Sequence, residues 1–244
     1  IGMAAGFDRN GEIFSELDAL GFGFVEIGTV TAQPQTGNPK PRVFKLSDDM
    51  AIMNRVGLSS KGLERVISNI RQRNNGVVLG CNIGKNSSTA PENAPQDYLR
   101  VFRNLYQYVD YFTVNVSYNT SFKQYVPRTR ESIISILEPL FDFRRGQNQY
   151  RPILLKISPD LSNEDIDMMT DIMVDTPLDG IVATNGTVRH TGLVTDAEQL
   201  KRYGAGAVSG KPLTKRSVEV VRRVYERSNG TYPIIGVGGV MTPA

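Results

Sequence analysis

The chain has 244 residues, 40% of them hydrophobic, with 28 Lys or Arg against 25 Asp or Glu and a formal net charge of +3. That length supplies one sizeable core, near the about 250 residues of a single (β/α)8 barrel. The mild positive excess suits anionic ligands without any Lys/Arg block for nucleic acid, the lone Cys81 excludes an internal disulfide framework, and no apolar run nears the about 20 residues that cross a bilayer.

The chain opens directly on a strand-like stretch over 2–7, so any leader lies upstream of it. A helix over about 10–20 places Phe14, Leu17 and Leu20 on one face. A second strand covers 23–29. Residues 31–58 carry Pro34, Pro39 and Pro41 with no helical period, and read as a long excursion holding a small hairpin. Leu63, Val66, Ile67 and Ile70 mark the next helix, before a strand over 77–83. Tyr98, Val101, Phe102 and Leu105 mark another, followed by a strand over 111–116.

Ile133, Leu137, Leu140 and Phe141 then precede a strand over 153–157. Ser162-Asn163-Glu164-Asp165 resembles a capping box and opens a helix with Ile166, Met169 and Ile172. A strand over 180–184 leads into a long polar loop, 186–212, and a helix with Val218, Val221 and Val224. The last strand covers 234–238.

Alternating buried strands and helices define an α/β protein with parallel pairing, and the strand ends carry Gly, Asn, Lys, Thr and Ser. In a (β/α)8 TIM barrel those C-terminal ends converge on one active-site face. Seven strands are readable where a barrel closes with eight, and open edges invite aggregation. The expectation is a single barrel domain over 1–244, incomplete at its C-terminus, with a last strand–helix unit after Ala244.

Lys156 interrupts the apolar run ILLKIS, where an ammonium must meet a ligand or bear a desolvation penalty. It suits charge stabilisation beside a cofactor, or a Schiff base of an aldolase; the plain alternative is a lysine that snorkels to solvent. Asn82, Asn115 and Asn185 end three strands with both donors and acceptors, which suits a ring of alternating carbonyl and N–H groups better than three turn asparagines. Gly206–Gly210 and Gly236–Gly239 are glycine-rich backbone where the usual barrel phosphate site lies. The only histidine, His190, falls in a polar loop, and no His/Cys/Asp cluster has metal-ligand spacing, so no metal is expected.

Ala4-Ala5-Gly6-Phe7-Asp8, GFGFVEIGTVT with PQTGNPKPRVFKL, GCNIGKN, NVS–NT, LLKISPDL, ATNGTV, SGKPL and PIIGVGG span nearly the whole chain in one order. Together they resemble dihydroorotate dehydrogenase of the quinone-using class 2, for which the PKPRVFKL hairpin is specific. The resemblance implies a barrel that holds FMN and oxidises dihydroorotate to orotate in pyrimidine synthesis. A base removes the C5 proton, a hydride passes from C6 to flavin N5, and electrons go on to ubiquinone. It also implies attachment to the mitochondrial inner membrane, or to a bacterial cytoplasmic membrane, through an N-terminal segment absent from this chain.

Carried over residue by residue, FMN contacts are Ala4, Ala5, Gly6, Thr29, Asn82, Asn115, Lys156, Thr184, Asn185, Ser209, Gly210, Gly238 and Gly239. Substrate contacts are Arg9, Asn54, Gly57, Asn115, Asn119 and Asn185. The substrate set departs from the family. Its N-x-S-S-P-N-T loop, whose second serine is the base, is one residue short at Asn115-Val116-Ser117-Tyr118-Asn119-Thr120. Ser117 is the best candidate base, although the gap can be placed to put Tyr118 there. Arg9 stands for a lysine, Val56 and Leu58 for aromatics, Gly186 for a threonine, and Lys45 for an arginine of the quinone tunnel. Two readings follow: a working dihydroorotate dehydrogenase with a variant substrate site, or a divergent FMN-binding paralogue with lost or altered activity.

Overall fold

The computed structural model describes residues 1–73, 76–120, 123–125 and 129–242, with backbone alone over 118–120 and 123–125. The parallel strands are β1 (Gly2–Met3), β2 (Phe24–Val30), β5 (Val78–Ile83), β6 (Tyr111–Asn115), β9 (Ile153–Ile157), β10 (Gly180–Ala183) and β12 (Ile234–Gly236). They form one seven-stranded sheet in the order β1-β2-β5-β6-β9-β10-β12, the strand sequence of a (β/α) barrel. The intervening elements are the hairpin strands β3 (Val43–Leu46) and β4 (Ala51–Asn54), the short pair β7 (Tyr118–Thr120) and β8 (Lys123–Tyr125), and β11 (Ala207–Gly210).

Packing divides the chain into two compact units: Ile1–Gly37 with Leu58–Val116 and Pro127–Leu155, and Asn38–Gly57 with Ser117–Val126 and Lys156–Ala244. In the first, β2 pairs with β5 from Phe24↔Val78 to Ile27↔Cys81, and β5 with β6 from Gly80↔Tyr111 to Ile83↔Val114. Its helices are α1 (Phe14–Ala19), α2 (Leu63–Ile70), α3 (Ala94–Leu105) and α4 (Arg130–Arg145). Apolar residues at helical spacing bury Leu63, Val66 and Ile70 of α2, and Tyr98, Val101, Phe102 and Leu105 of α3. Phe102 is the centre of an aromatic cluster, 4.4 Å from Phe112 and 5.9 Å from Phe143 between ring centroids.

Helix α1 is shorter than the spacing predicts. The Asp8 carboxylate accepts the N–H groups of Glu12 and Ile13 at 2.9 Å each, so the first turn expected from about residue 10 is used up in a side-chain-capped loop. Leu20 caps the helix and is exposed rather than part of its buried face. The strand expected over 2–7 is ordered as a strand only at Gly2–Met3.

In the second unit, β10 pairs with β12 from Ile181↔Ile234 to Ala183↔Gly236. Strand β4 sits between β3 and β11 in an antiparallel sheet, which bears out the hairpin expected within 31–58. Its apolar side packs Leu46, Ala51, Met53 and Val208 with Phe44, Leu193, Leu200 and Tyr203. The stretch 186–212 is not a plain loop, because it holds α6 (Ala197–Tyr203) and β11. Asp196 caps α6 through the Gln199 N–H, and Val208 supplies the buried anchor of β11.

Helix α5 (Asn163–Asp175) starts as read, with the Ser162 hydroxyl accepting the Asp165 N–H at 3.1 Å. Helix α7 (Thr214–Arg227) buries Ser217, Val220 and Val224, while Val218 is exposed. Val224 is buried as expected, whereas Ser217 and Val220 take the buried places expected of Val218 and Val221. Two bidentate ion pairs, Arg223–Asp167 and Arg227–Asp171, tie α7 to α5 at 2.6–2.7 Å.

Candidate active site

In the first unit the polar strand-end residues form a connected set. Thr29 Oγ1 donates to Asn82 Oδ1 at 2.7 Å, and Asn115 Nδ2 donates to Thr29 Oγ1 at 3.2 Å. All three side chains are buried. The parity of β2 would set Thr29 with Val25 and Ile27, facing away from Asn82. A register irregularity corrects this: Ile27 pairs with Cys81 and Val30 with Ile83, three residues against two, and Thr29 turns to the Asn82 side. Ala4 and Ala5 follow β1, and the Gly6 N–H donates to the Gly28 carbonyl at 2.9 Å, which fixes the Ala-Ala-Gly turn against β2. Arg9 is half-buried in the same unit.

In the second unit Ser117 and Asn185 are joined directly. Asn185 Nδ2 donates to Ser117 Oγ at 2.8 Å and to the Ser117 carbonyl at 2.9 Å. The Asn185 N–H in turn donates to the Ile157 carbonyl at 2.9 Å, so the end of β9 fixes the backbone that carries this amide. Lys156, in the same strand, is 5% exposed. It is buried, which excludes the reading of a lysine that snorkels to solvent. Thr184 Oγ1 donates to the Asn185 carbonyl at 3.0 Å. Asp160 holds the following loop, accepting from Thr187 Oγ1 at 2.5 Å and the Val188 N–H at 2.8 Å.

Gly238 and Gly239 follow β12 and abut the start of α7. Gly239 has φ +71°, and a Cβ built there would lie 2.3 Å from the Thr214 nitrogen. Ser217 Oγ donates to the Gly238 carbonyl and Thr214 Oγ1 to the Gly239 carbonyl, both at 2.7 Å. The first turn of α7 has no side-chain cap and no acidic residue. Its N–H groups and dipole therefore suit an anion.

Of the remaining positions, Asn54, Ser209 and Gly210 lie on the hairpin sheet. Asn54 ends β4 opposite Ala207, and Gly57 packs against the Asn38 amide. Ser209 and Gly210 belong to β11, opposite Ile52 and Ala51. At Gly186 a Cβ would lie 3.1 Å from the Val208 carbonyl and 3.2 Å from Ala207 Cβ, so a side chain there would need those neighbours to give by a few tenths of an ångström. Asn119 lies in β7, and its side chain is outside the described residues, as is that of Tyr118.

The family model for dihydroorotate dehydrogenase matches residues 1–244. The chain belongs to the dihydroorotate dehydrogenase family. Within it the class is the quinone-dependent one. A protein from Christiangramia forsetii named dihydroorotate dehydrogenase (quinone) is 43% identical over 99% of this chain and 70% of its own length. Proteins of the same name from Corynebacterium striatum and Corynebacterium efficiens are each 43% identical over the whole of this chain and cover 66% and 63% of their own lengths. The chain thus spans about two thirds of the length of these relatives.

Crystal structures of the family's DHODH from Eimeria tenella give the same fold. The complex with ferulenol has a TM-score of 0.88 at 32% identity, covering 99% of this chain and 70% of that one. The ligand-free form has a TM-score of 0.89 at 31% identity, covering 99% and 72%. The curated relatives named above are bacterial and lend no support to a mitochondrial placement. Among the described residues no helix is long and apolar enough to cross a membrane.

Reading the strand ends alone misses Glu26, Tyr111 and Thr113, which underlie the Asn82 and Thr29 amide–hydroxyl set. Glu26 carries the same signal as Lys156, an ionisable residue inside an apolar strand. Burial and the Glu26 carboxylate raise Tyr111, and burial followed by Glu26 raises Cys81 well above the ordinary thiol value. Cys81 is thus a neutral, buried thiol, consistent with packing rather than reactivity.

Proposed function

We propose that this chain oxidises dihydroorotate to orotate, using FMN and passing electrons to ubiquinone. The observation that carries the reading is the Ser117–Asn185 pair, a hydroxyl fixed by an amide within a chain of this family. FMN would be held by Ala4, Ala5, Gly6, Thr29, Asn82, Asn115, Lys156, Thr184, Asn185, Ser209, Gly210, Gly238 and Gly239. Two features of the chain fit that group: the Gly238-Gly239 cradle that a Cβ would fill, and the acid-free first turn of α7 for a phosphate. When bound, FMN supplies the two-electron redox chemistry between substrate and quinone.

Ser117 is the general base. Its Oγ takes the C5 proton of dihydroorotate as its own proton passes to a solvent water, because a serine hydroxyl is a poor base unless geometry does the work. Asn185 fixes that geometry by holding the serine carbonyl and hydroxyl at once, which removes rotation about the side-chain bond. Arg9, Asn54, Gly57, Asn115, Asn119 and Asn185 would bind the substrate, with Arg9 suited to a bidentate grip on its carboxylate. The buried Lys156 ammonium favours negative charge that develops beside it. Quinone as the acceptor implies a membrane-associated protein, with the attachment carried by an N-terminal segment outside this chain.

The test is anaerobic addition of dihydroorotate to purified, flavin-loaded full-length protein. Bleaching of the flavin absorbance, then its return on adding a short-chain quinone, is the expected result. A flavin that dithionite bleaches but dihydroorotate does not would overturn the substrate assignment and favour the divergent FMN-binding paralogue. A protein that takes up no flavin would overturn the cofactor assignment too.

A further inference from the structure

Glu26 is a carboxylate 3% exposed, in the middle of β2. Its side chain meets donors on every described side. Asn82 Nδ2 donates to Oε1 at 2.9 Å, while Thr113 Oγ1 and Tyr111 OH donate to Oε2 at 2.7 Å and 3.2 Å. Room for this cluster is built into the sheet. A Cβ on Gly80, the register partner of Glu26, would lie 2.1 Å from the Tyr111 ring, so only glycine lets that ring cross to Glu26. A Cβ on Gly28 would lie 2.3 Å from the Asn82 carbonyl, so only glycine at 28 lets the β2 backbone lie against Asn82.

Both Glu26 carboxylate oxygens act as acceptors, Oε1 toward Asn82 and Oε2 toward Thr113 and Tyr111. Glu26 therefore compels Asn82 to face it with Nδ2; the flipped amide would set two oxygens against each other at 2.9 Å. With Nδ2 turned inward, Asn82 Oδ1 is the atom that meets Thr29, and it accepts the Thr29 hydroxyl proton. That proton is then committed, so Thr29 Oγ1 accepts from Asn115 Nδ2. Each step in the series is forced by the one before it.

We propose that Glu26 is a positioning residue for the flavin site: it sets the donor and acceptor polarity of Asn82, Thr29 and Asn115 in series, and so the orientation in which those side chains meet a flavin. This rests on the FMN reading above. Its role is that of an acceptor. Glu26→Gln can keep its carbonyl oxygen toward Asn82 and turn its amide to Tyr111 and Thr113, whose hydroxyls rotate to accept. Glu26→Leu offers Asn82 nothing.

The experiment titrates FMN into deflavinated full-length protein, following flavin fluorescence and the visible circular dichroism of the bound flavin. Glu26→Leu is expected to raise the FMN Kd at least about 10-fold and to change the dichroism, and Glu26→Gln to restore both, with Kd within about 3-fold of wild type. Thr113→Val removes a donor to Glu26 without touching the series, and is expected to leave Kd within about 3-fold while lowering stability. Should Glu26→Leu fail to fold, Glu26→Asp, which draws the carboxylate back from Asn82, is expected to raise Kd by about 5-fold or more. Unchanged FMN affinity and dichroism in a folded Leu or Asp variant would overturn the proposal. So would a Thr113→Val loss as large as theirs, which would make the cluster merely structural. Wild-type protein that binds no FMN would sink the flavin reading itself, and the proposal with it.

Discussion

Asp49 and Thr195, 146 residues apart in sequence, are joined by a 2.5 Å hydrogen bond from the threonine hydroxyl to the buried carboxylate. The N–H groups of Val194 and Thr195 donate to the same carboxylate at 2.7 Å and 3.1 Å. The turn after β3 thereby fastens the segment that leads into α6.

The pH dependence of this fastening has a definite sign. Burial pushes the Asp49 carboxyl up, but the Thr195 hydroxyl and the two N–H groups outweigh it and hold the group below the ordinary aspartate value. A lowered folded-state pKa contributes stability that is present above the unfolded value, about 3.9, and is lost as pH falls through the folded value. Asp49→Asn is expected to cost about 1–3 kcal/mol at pH 7. Urea denaturation at pH 7, 5 and 3.5 should show that gap intact at the first two and shrinking at the last. A gap that persists unchanged at the lowest pH would rule out the charged carboxylate as its source.

Arg55 makes a related prediction for the hairpin. Its Nη1 donates to the Tyr203 carbonyl, its Nη2 to the Pro41 carbonyl at 3.1 Å, and its guanidinium lies 5.0 Å from the Phe44 ring centroid. Phe44 itself stacks on Tyr203 at 4.3 Å. Arg55→Ala is expected to destabilise by about 1–3 kcal/mol. Arg55→Lys should recover less than half of that, because a single ammonium cannot fork to two carbonyls while lying flat on a ring. Hydrogen exchange should quicken across α6 in both variants; full rescue by lysine would leave charge alone as the explanation.

Gly239 tests the phosphate cradle. Alanine there must adopt a left-handed φ of +71° with its Cβ 2.3 Å from the Thr214 nitrogen. The left-handed backbone alone costs about 1–2 kcal/mol, and the clash must push the start of α7 away. Gly239→Ala is expected to weaken FMN binding at least about 10-fold, measured by fluorescence titration. An alanine variant with wild-type affinity would place the phosphate elsewhere.

Much of this was legible in the residues, for reasons that differ by element. The strand over 153–157 is fully buried and its apolar run has sharp polar ends, so its bounds match the structure. Tyr98, Val101, Phe102 and Leu105 likewise sit at unambiguous helical spacing and are all buried. In helix α7 the apolar spacing points to Val218, Val221 and Val224, of which only Val224 is buried, because the serine that serves the Gly238 carbonyl gives no apolar signal. The segment 186–212 reads as loop because α6 and β11 are anchored by few apolar residues against a hairpin far away in sequence. Tertiary contacts, not local pattern, made them regular. A register irregularity against β5 turns Thr29 toward Asn82, and nothing in the local sequence states that. Glu26 gives the sequence the same signal as Lys156, a charge in an apolar strand, but which groups it serves becomes visible only with its donors on β5 and β6.

The identity of the base is the last prediction. The shortened loop offers two side chains, Ser117 and Tyr118, for one position. Ser117 is 6% exposed and bonded through Oγ to Asn185, which is the arrangement a positioned hydroxyl needs. Removal of a general base typically costs about 100- to 10,000-fold. Ser117→Ala is therefore expected to slow anaerobic flavin reduction by dihydroorotate at least about 100-fold with FMN affinity retained, while Tyr118→Phe changes it less than about 10-fold. Asn185→Ala should fall between, because it frees the serine hydroxyl to rotate without removing it. Stopped-flow absorbance of the flavin reads all three directly. If Tyr118→Phe proves the slow variant and Ser117→Ala the fast one, the missing residue of the loop belongs after the tyrosine, and the hydrogen bond from Asn185 serves to shape the loop rather than to aim a base.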